Sequence, residues 1–280
     1  MTLFESVVLG LVQGLAEFLP ISSSGHLAAL QHFFGISGDN VLTFTVMLHF
    51  GTLISIFIAY WKDIVDLVKE LFAVFRDIFT GKGIQINKNE TRRLGFMIIV
   101  ATVPTGIIGL LFNDFFESLY TSMLPIGICL LITGTCLFLA EKFGGGKKGV
   151  KESTFVNAFF IGLCQAIAIC PGISRSGATM VGGLASRFNR EHAVRFAFLI
   201  SIPSVIGATL LEVPDAIAAV SATTGAMSVG TMAAGVIVAA VSGYAAIKMM
   251  ISAVVNKKLI YFSFYTWIAG AALIIYSLAC

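Results

Sequence analysis

Charge is scarce in this chain, and that scarcity excludes more than any single motif does. Only 12% of the 280 residues are Asp, Glu, Lys or Arg, against 57% that are apolar; soluble proteins carry about 25% charged residues. No soluble core could hide so much apolar side chain, so the composition describes a polytopic membrane protein built from helices. Net charge is equally small at +3, too little to suggest a nucleic-acid partner. Cysteine supplies no framework. Cys129, Cys136, Cys164, Cys170 and Cys280 are odd in number and lie in apolar stretches, so they read as small buried hydrophobes. The N-terminus has no basic region before its apolar run and carries Glu5 and Glu17, so a cleaved signal peptide is not expected.

What the chain does have is a repeat. Residues 9–26, LGLVQGLAEFLPISSSGH, return at 161–178 as IGLCQAIAICPGISRSGA, offset by 152 positions. Eight of the seventeen columns from 9 to 25 are identical: Gly10/Gly162, Leu11/Leu163, Gln13/Gln165, Ala16/Ala168, Ile21/Ile173, Ser22/Ser174, Ser24/Ser176 and Gly25/Gly177. An internal repeat is the direct reading. The columns that differ carry the chemistry: Glu17, Ser23 and His26 in the first copy face Ile169, Arg175 and Ala178 in the second. One copy holds acid–base and nucleophilic groups, the other a fixed cation.

In chain order, 3–36 is apolar but broken by Pro20 and Ser22-Ser23-Ser24-Gly25, which predicts a re-entrant hairpin rather than a span. Spans follow at about 41–61, 95–112 and 122–140. The first ends at Tyr60-Trp61, an interfacial aromatic pair. Between the first two spans, 62–94 is basic and amphipathic and predicts a helix on the cytoplasmic surface; a short acidic link, 113–121, joins the next two. Residues 141–153, with Gly144-Gly145-Gly146, predict a flexible cytoplasmic linker. A second hairpin occupies 154–190, with spans at about 194–212, 227–250 and 259–279. Running the first span inward puts sixteen of the eighteen Lys and Arg in the cytoplasmic loops 62–94, 141–153, 187–195 and 251–258, as the positive-inside rule requires. Lys248 then sits at a cytoplasmic span end and only Arg175 is left within the membrane. The same assignment makes halves 1–140 and 154–280 an inverted-topology repeat, each a hairpin plus three spans, with the hairpin tips meeting near the midplane.

Arg175 is the residue least explicable as structure, because an arginine at bilayer depth costs about 2.5–3.5 kcal/mol. It could lock the hairpins by pairing with Glu17. Alternatively, its guanidinium, the hydroxyls of Ser174 and Ser176 and the N–H groups opening a new helix could bind a phosphate. Gln13 and Glu17 share one helix face. They could hold a hard divalent cation together with phosphate oxygens, Glu17 could act as a general base, or the two could be a hydrogen-bonded pair between helices. Gln165 persists without the acid, which marks glutamine as architectural and Glu17 as chemical. Ser22, Ser23 and Ser24 precede a helix, where serine caps are expected, but three in a row exceed what a cap needs. Ser23 occupies the column of Arg175, and His26 opens the returning helix within reach of it, which is nucleophile–base logic. His49 lies mid-span and reads as a polar contact between helices; His32 and His192 read as interfacial.

The stretch Gln13-x-x-x-Glu17-Phe18-Leu19-Pro20-Ile21-Ser22-Ser23-Ser24-Gly25-His26, with Pro171-Gly172-Ile173-Ser174-Arg175-Ser176-Gly177-Ala178-Thr179, resembles the undecaprenyl pyrophosphate phosphatase family, the bacitracin-resistance type of integral membrane phosphatase. The likeness covers essentially the whole chain. It implies dephosphorylation of a C55 polyprenyl pyrophosphate to the monophosphate, which recycles the lipid carrier for peptidoglycan synthesis. It also implies a bacterial plasma-membrane location with the site open to the outer face, and dependence on Mg2+ or Ca2+. By the same resemblance Gln13 and Glu17 carry the acidic motif and the metal, His26 is the catalytic histidine, and Ser23 and Arg175 bind phosphate, with Ser22 beside them. Many members carry Glu where this chain has Gln13, which counts against a metal mode needing two carboxylates there, and members vary at His49. The expected mechanism makes Ser23 the nucleophile, Glu17 the base or metal ligand and His26 a proton shuttle; His26 as nucleophile, or Glu17 activating water, stay open. A homodimer is compatible with the sequence. The reading from a different class is a polyprenyl-phosphate flippase, because inverted repeats with midplane hairpins are transporter architecture.

Overall fold

Each half of the chain opens with a helix set by the same local device. In the computed structural model α1 (Leu3–Phe18) starts on a reciprocal cap: Thr2 Oγ1 accepts from the Glu5 N–H at 3.2 Å and the Thr2 N–H donates to Glu5 Oε2 at 2.8 Å. Thr154 and Asn157 repeat the arrangement, 152 residues on, at the start of α8 (Phe155–Ile167). Such boxes satisfy two N–H groups that a helix start leaves without partners. Helix α1 stops where Pro20 disfavours helical backbone at Leu19, which is extended (φ −72°, ψ 144°). The chain then turns into α2 (Ser23–Phe33), as the second copy turns from α8 into α9 (Arg175–Ala185). A helix–turn–helix unit stands at each of the two places where a hairpin is expected.

The structure describes residues 1–36, 39–222 and 228–279, and their side chains outside 39–43, 121 and 211–222. Cys280 and the first residue of the span expected at 227–250 lie outside the described residues. The remaining helices are α3 (Asp39–Ala59), α4 (Trp61–Phe79), α5 (Glu90–Leu111), α6 (Asn113–Ser118), α7 (Met123–Phe143), α10 (Arg190–Ala222), α11 (Val229–Val255) and α12 (Leu259–Ala279). Among the described residues, five segments are long and apolar enough to cross a membrane: α5, α7, Arg190–Leu210 of α10, α11 and α12. A sixth comes from α3, which breaks at Tyr60 into α4 through an 84° bend. The protein is an all-α polytopic membrane protein.

Two local expectations are corrected. Tyr60 is buried against Phe198 while only Trp61 is exposed, so the two do not form an interfacial pair. The acidic link at 113–121 forms α6 and a 3-10 turn. The glycine-rich segment is not free. Gly145 and Gly146 donate to the Leu184 and Phe188 carbonyls, Lys148 donates to Arg187, and Asn189 donates back to Lys148, which pins the linker along the turn between α9 and α10.

Helix α4 lies across the ends of its neighbours. Ile64 and Leu67 pack into the core, whereas Val68, Leu71, Phe72, Phe75 and Phe79 are exposed, the face a surface helix presents to lipid. A buried network holds it to α5. Arg92 Nε donates to Glu70 Oε1 at 2.6 Å, Arg92 Nη2 to Asp77 Oδ2 at 2.8 Å, and Lys88 Nζ to the same oxygen at 2.7 Å. Hydrogen bonds from Lys88 and Arg92 pull the Asp77 carboxyl down to about 2. At this end of the molecule Arg195 pairs with Asp63, Arg190 with Glu141, and Glu141 also accepts from the Leu259 N–H. The predicted basic loops therefore meet on one face.

The packing of one half is echoed in the other. Helix α1 lies on α11 and α8 lies on α5; α3 packs on α10, and α7 on α12. At Gly10 a Cβ would collide with the Gly235 carbonyl, and at its repeat partner Gly162 with the Ala101 carbonyl. Gly127 and Gly270 face each other reciprocally between α7 and α12. Backbones this close need residues without side chains at the contact, as is common between helices in membranes.

Candidate active site

The two hairpin tips meet. Ser22 caps α2 and Ser174 caps α9 through the same hydrogen bond: Ser22 Oγ accepts from the Gly25 N–H at 3.4 Å, Ser174 Oγ from the Gly177 N–H at 3.1 Å. Each capping oxygen also lies 3.2 Å from the hydroxyl two residues on, Ser24 or Ser176. The hydroxyls of Ser22 and Ser174 thus serve the caps, and Ser176 Oγ lies between Ser174 Oγ and the Leu19 carbonyl. What they position is a pair of helix N-termini, each with N–H groups free of intrahelical partners. Ser22 does so at φ +71°, left-handed backbone that costs a residue with a Cβ about 1–3 kcal/mol. The second tip is anchored from α7, where Thr133 Oγ1 donates to the Gly172 carbonyl at 3.0 Å and accepts from the Ser174 N–H at 3.2 Å.

Glu17, at the end of α1, is the hub. It is buried, and the Arg175 guanidinium from the opposing tip pairs with its Oε1. Its Oε2 accepts from Ser23 Oγ at 2.7 Å and from Gln13 Nε2 at 3.0 Å. His49 Nε2 on α3 lies 4.0 Å from the same oxygen, while His49 Nδ1 meets the Thr45 carbonyl at 2.9 Å. The ion pair offered as a structural role for Arg175 is therefore formed. It is formed with the residue singled out for chemistry, so the lock between the hairpins and the centre of the site are one contact. Gln165 bridges Thr105 and Ser204, at 3.0 and 2.7 Å, between α8, α5 and α10, the architectural role expected of it.

His26 stands apart. Its Nδ1 is 2.8 Å from the Ser22 carbonyl and its Nε2 is 2.7 Å from the Tyr265 hydroxyl of α12. No hydrogen bond joins it to Ser23 or Glu17 among the described residues, so the expected Ser23–His26 contact is replaced by a Ser23–Glu17 contact.

Over residues 6–272 the sequence matches the model of the bacitracin resistance protein BacA family, nearly its whole length. The chain belongs to this family. Its relatives include an undecaprenyl-diphosphatase of Alkaliphilus metalliredigens, 50% identical across 99% of this chain and 100% of the relative. Undecaprenyl-diphosphatases of Halothermothrix orenii and Carboxydothermus hydrogenoformans are 42% and 40% identical, each matched across 98% of this chain and 98% and 97% of their own lengths.

The donor set of this BacA-family chain does not make a metal site by itself. Glu17 is the single carboxylate at the tips and both its oxygens are engaged by donors, with an arginine beside it. Gln13 turns its amide nitrogen to Glu17. Among the described residues no group of three or more His, Cys, Asp or Glu side chains could hold an ion. Gln13 and Glu17, the residues expected to ligate a divalent cation, are hydrogen-bonded to each other. Sequence reasoning missed Tyr265 and Thr133. Tyr265 lies in Phe264-Tyr265-Thr266-Trp267, where an aromatic residue in a span looks like any lipid-facing one. Thr133 sits in α7 with no sequence signal at all.

Proposed function

We propose that this protein hydrolyses undecaprenyl (C55 polyprenyl) pyrophosphate to the monophosphate and inorganic phosphate, recycling the lipid carrier for cell-wall synthesis and conferring bacitracin resistance. The observation that carries the reading is the Ser23–Glu17–Arg175 cluster: a hydroxyl donating to a buried carboxylate, with a guanidinium and two helix N-termini around it. The names of the relatives agree with it.

Glu17 accepts the Ser23 proton as Ser23 Oγ attacks the terminal phosphorus. The bridging P–O bond breaks and polyprenyl monophosphate leaves with the bridging oxygen, which takes that proton from Glu17. Water then attacks the phosphoserine, giving a proton to Glu17; the Ser23 Oγ–P bond breaks, Glu17 returns the proton to Ser23 Oγ, and inorganic phosphate departs. Arg175 and the N–H groups opening α2 and α9 neutralise the phosphate oxygens, the largest contribution a protein makes to phosphoryl transfer. His26 serves as proton shuttle. Its ring nitrogens are both engaged, which disfavours it as nucleophile relative to Ser23. A divalent cation, magnesium or calcium, belongs in this reading to the pyrophosphate it accompanies. Beside His49 an apolar groove of about 630 Å³ runs along α3 from Phe50 to Trp61, a surface suited to the prenyl chain.

The matched caps, the exchange of α1–α11 for α8–α5 and the reciprocal Gly127–Gly270 contact support an inverted-topology repeat of 1–140 and 154–280 across the linker 141–153. With the basic face in the cytoplasm of a bacterial cell, the site opens to the outer leaflet.

Phosphate release by purified protein from C55 pyrophosphate, with magnesium or calcium, tests the proposal. Glu17→Ala, Ser23→Ala and Arg175→Ala are each expected to lower turnover by about 10²–10⁴-fold, the scale of a positioned proton transfer or charge contact. A trapped phosphoenzyme mapped to Ser23 supports the step written above; one on His26 replaces it, and none on either favours Glu17-activated water. A parent protein that binds the lipid and releases no phosphate would be a flippase.

A further inference from the structure

We infer that Tyr265, from the last helix of the chain, is the positioning residue that fixes the orientation of the His26 ring. The inference rests on the reading above, in which His26 moves a proton. The Ser22 carbonyl can only accept, so at 2.8 Å from it His26 Nδ1 carries the hydrogen. The lone pair of the neutral ring is then on Nε2, and the Tyr265 hydroxyl, 2.7 Å away, donates to it. The two rings stack with centroids 5.6 Å apart and planes 14° from parallel. The Ser22 carbonyl at Nδ1 and the Tyr265 hydroxyl at Nε2 thus hold the imidazole from both sides, and the hydroxyl keeps it from turning out of the site. A hydrogen bond to one ring nitrogen setting the chemistry of the other is the usual control of a working histidine.

The pairing also accounts for where the tyrosine is. Tyr265 is half-exposed on a span otherwise lined outward by Tyr261, Phe264 and Ile268, where an unpartnered phenol in hydrocarbon would be costly. A second pair of the same type, His32 with Tyr276 at 3.1 Å, joins α2 to α12 farther from the tip. If both pairs served only to dock α2 on α12, removing either hydroxyl would have the same effect. If Tyr265 positions His26, only its own hydroxyl would matter to turnover.

Tyr265→Phe keeps the ring and removes the hydroxyl; Tyr276→Phe is the matched control. Tyr265→Phe is expected to lower kcat roughly tenfold or more with KM within about twofold, as loss of a proton-transfer contact does. Tyr276→Phe should change neither. Nitrogen-15 spectra of selectively labelled His26 should show the Nδ1–H tautomer in the parent, and in Tyr265→Phe an Nε2 resonance shifted by the loss of its hydrogen bond. Parent-like kcat in Tyr265→Phe, equal losses in the two variants, or an Nε2–H tautomer in the parent overturns the inference. His26→Ala separates the two levels. If it keeps parent turnover, the role of His26 fails and the inference with it; if it is inactive while Tyr265→Phe is not, only the inference fails.

Discussion

Glu17 sits where four other side chains converge: Arg175 on one oxygen, Ser23 and Gln13 on the other, His49 at 4.0 Å. Removing one member of a buried ion pair strands its partner and costs about 3–5 kcal/mol, whereas removing both is far less damaging. Glu17→Gln and Arg175→Gln should therefore each lower the melting temperature in detergent, and the double variant should recover most of the loss. None of the three should regain phosphate release, and a double variant that did would remove the pair from the chemistry. These residues were legible in the sequence because polar groups stand out in an apolar chain and because the repeat aligned Ser23 with Arg175. The partner of His26 was not legible, since Tyr265 differs from its lipid-facing neighbours only by an oxygen. Nor was the order in the linker. Three consecutive glycines announce conformational freedom, and the carbonyls of Leu184 and Phe188 that use it up lie some forty residues away.

At the level of elements, the elbow between α3 and α5 depends on a few buried charges. Asp77 receives Lys88 and Arg92 and its carboxyl is held at about 2, below the usual value of about 3.9. A depressed carboxylate contributes stability that is fully present above the unfolded value and lost as pH falls through the folded one. The elbow should hold at neutral pH and loosen on acidification from about pH 4 toward pH 2. Asp77→Asn should lower the melting temperature at pH 7 and flatten its acid dependence, read by thermal melts across that range. An unchanged dependence would assign the acid response to other carboxylates. The amphipathic pattern of 62–94 showed a surface helix at this position, but the 84° turn at Tyr60 was invisible, because it follows from Tyr60 packing on Phe198 in a distant segment.

Over the whole molecule, the basic loops meet on one face through Arg195–Asp63, Arg190–Glu141 and Lys151–Glu90. A cysteine replacing Lys147 in a background without the five native cysteines should react with an impermeant maleimide only in inverted vesicles. Labelling in right-side-out vesicles would reverse the orientation. Because Arg175, Ser23 and Gln13 already engage both oxygens of Glu17, a chelator should abolish phosphate release without moving the melting temperature, since only a ligand bound to the folded state stabilises it. A chelator-induced fall in melting temperature would show a resident ion.

The contact that closes the two tips has one further consequence. Arg175 cannot give its full charge to a phosphate while it answers Glu17, so the carboxylate is a built-in competitor for the very cation that the ligand needs. Part of the binding energy of any pyrophosphate is then used to displace a tethered rival. Glu17→Gln, silent in turnover, should hold pyrophosphate more tightly than the parent does.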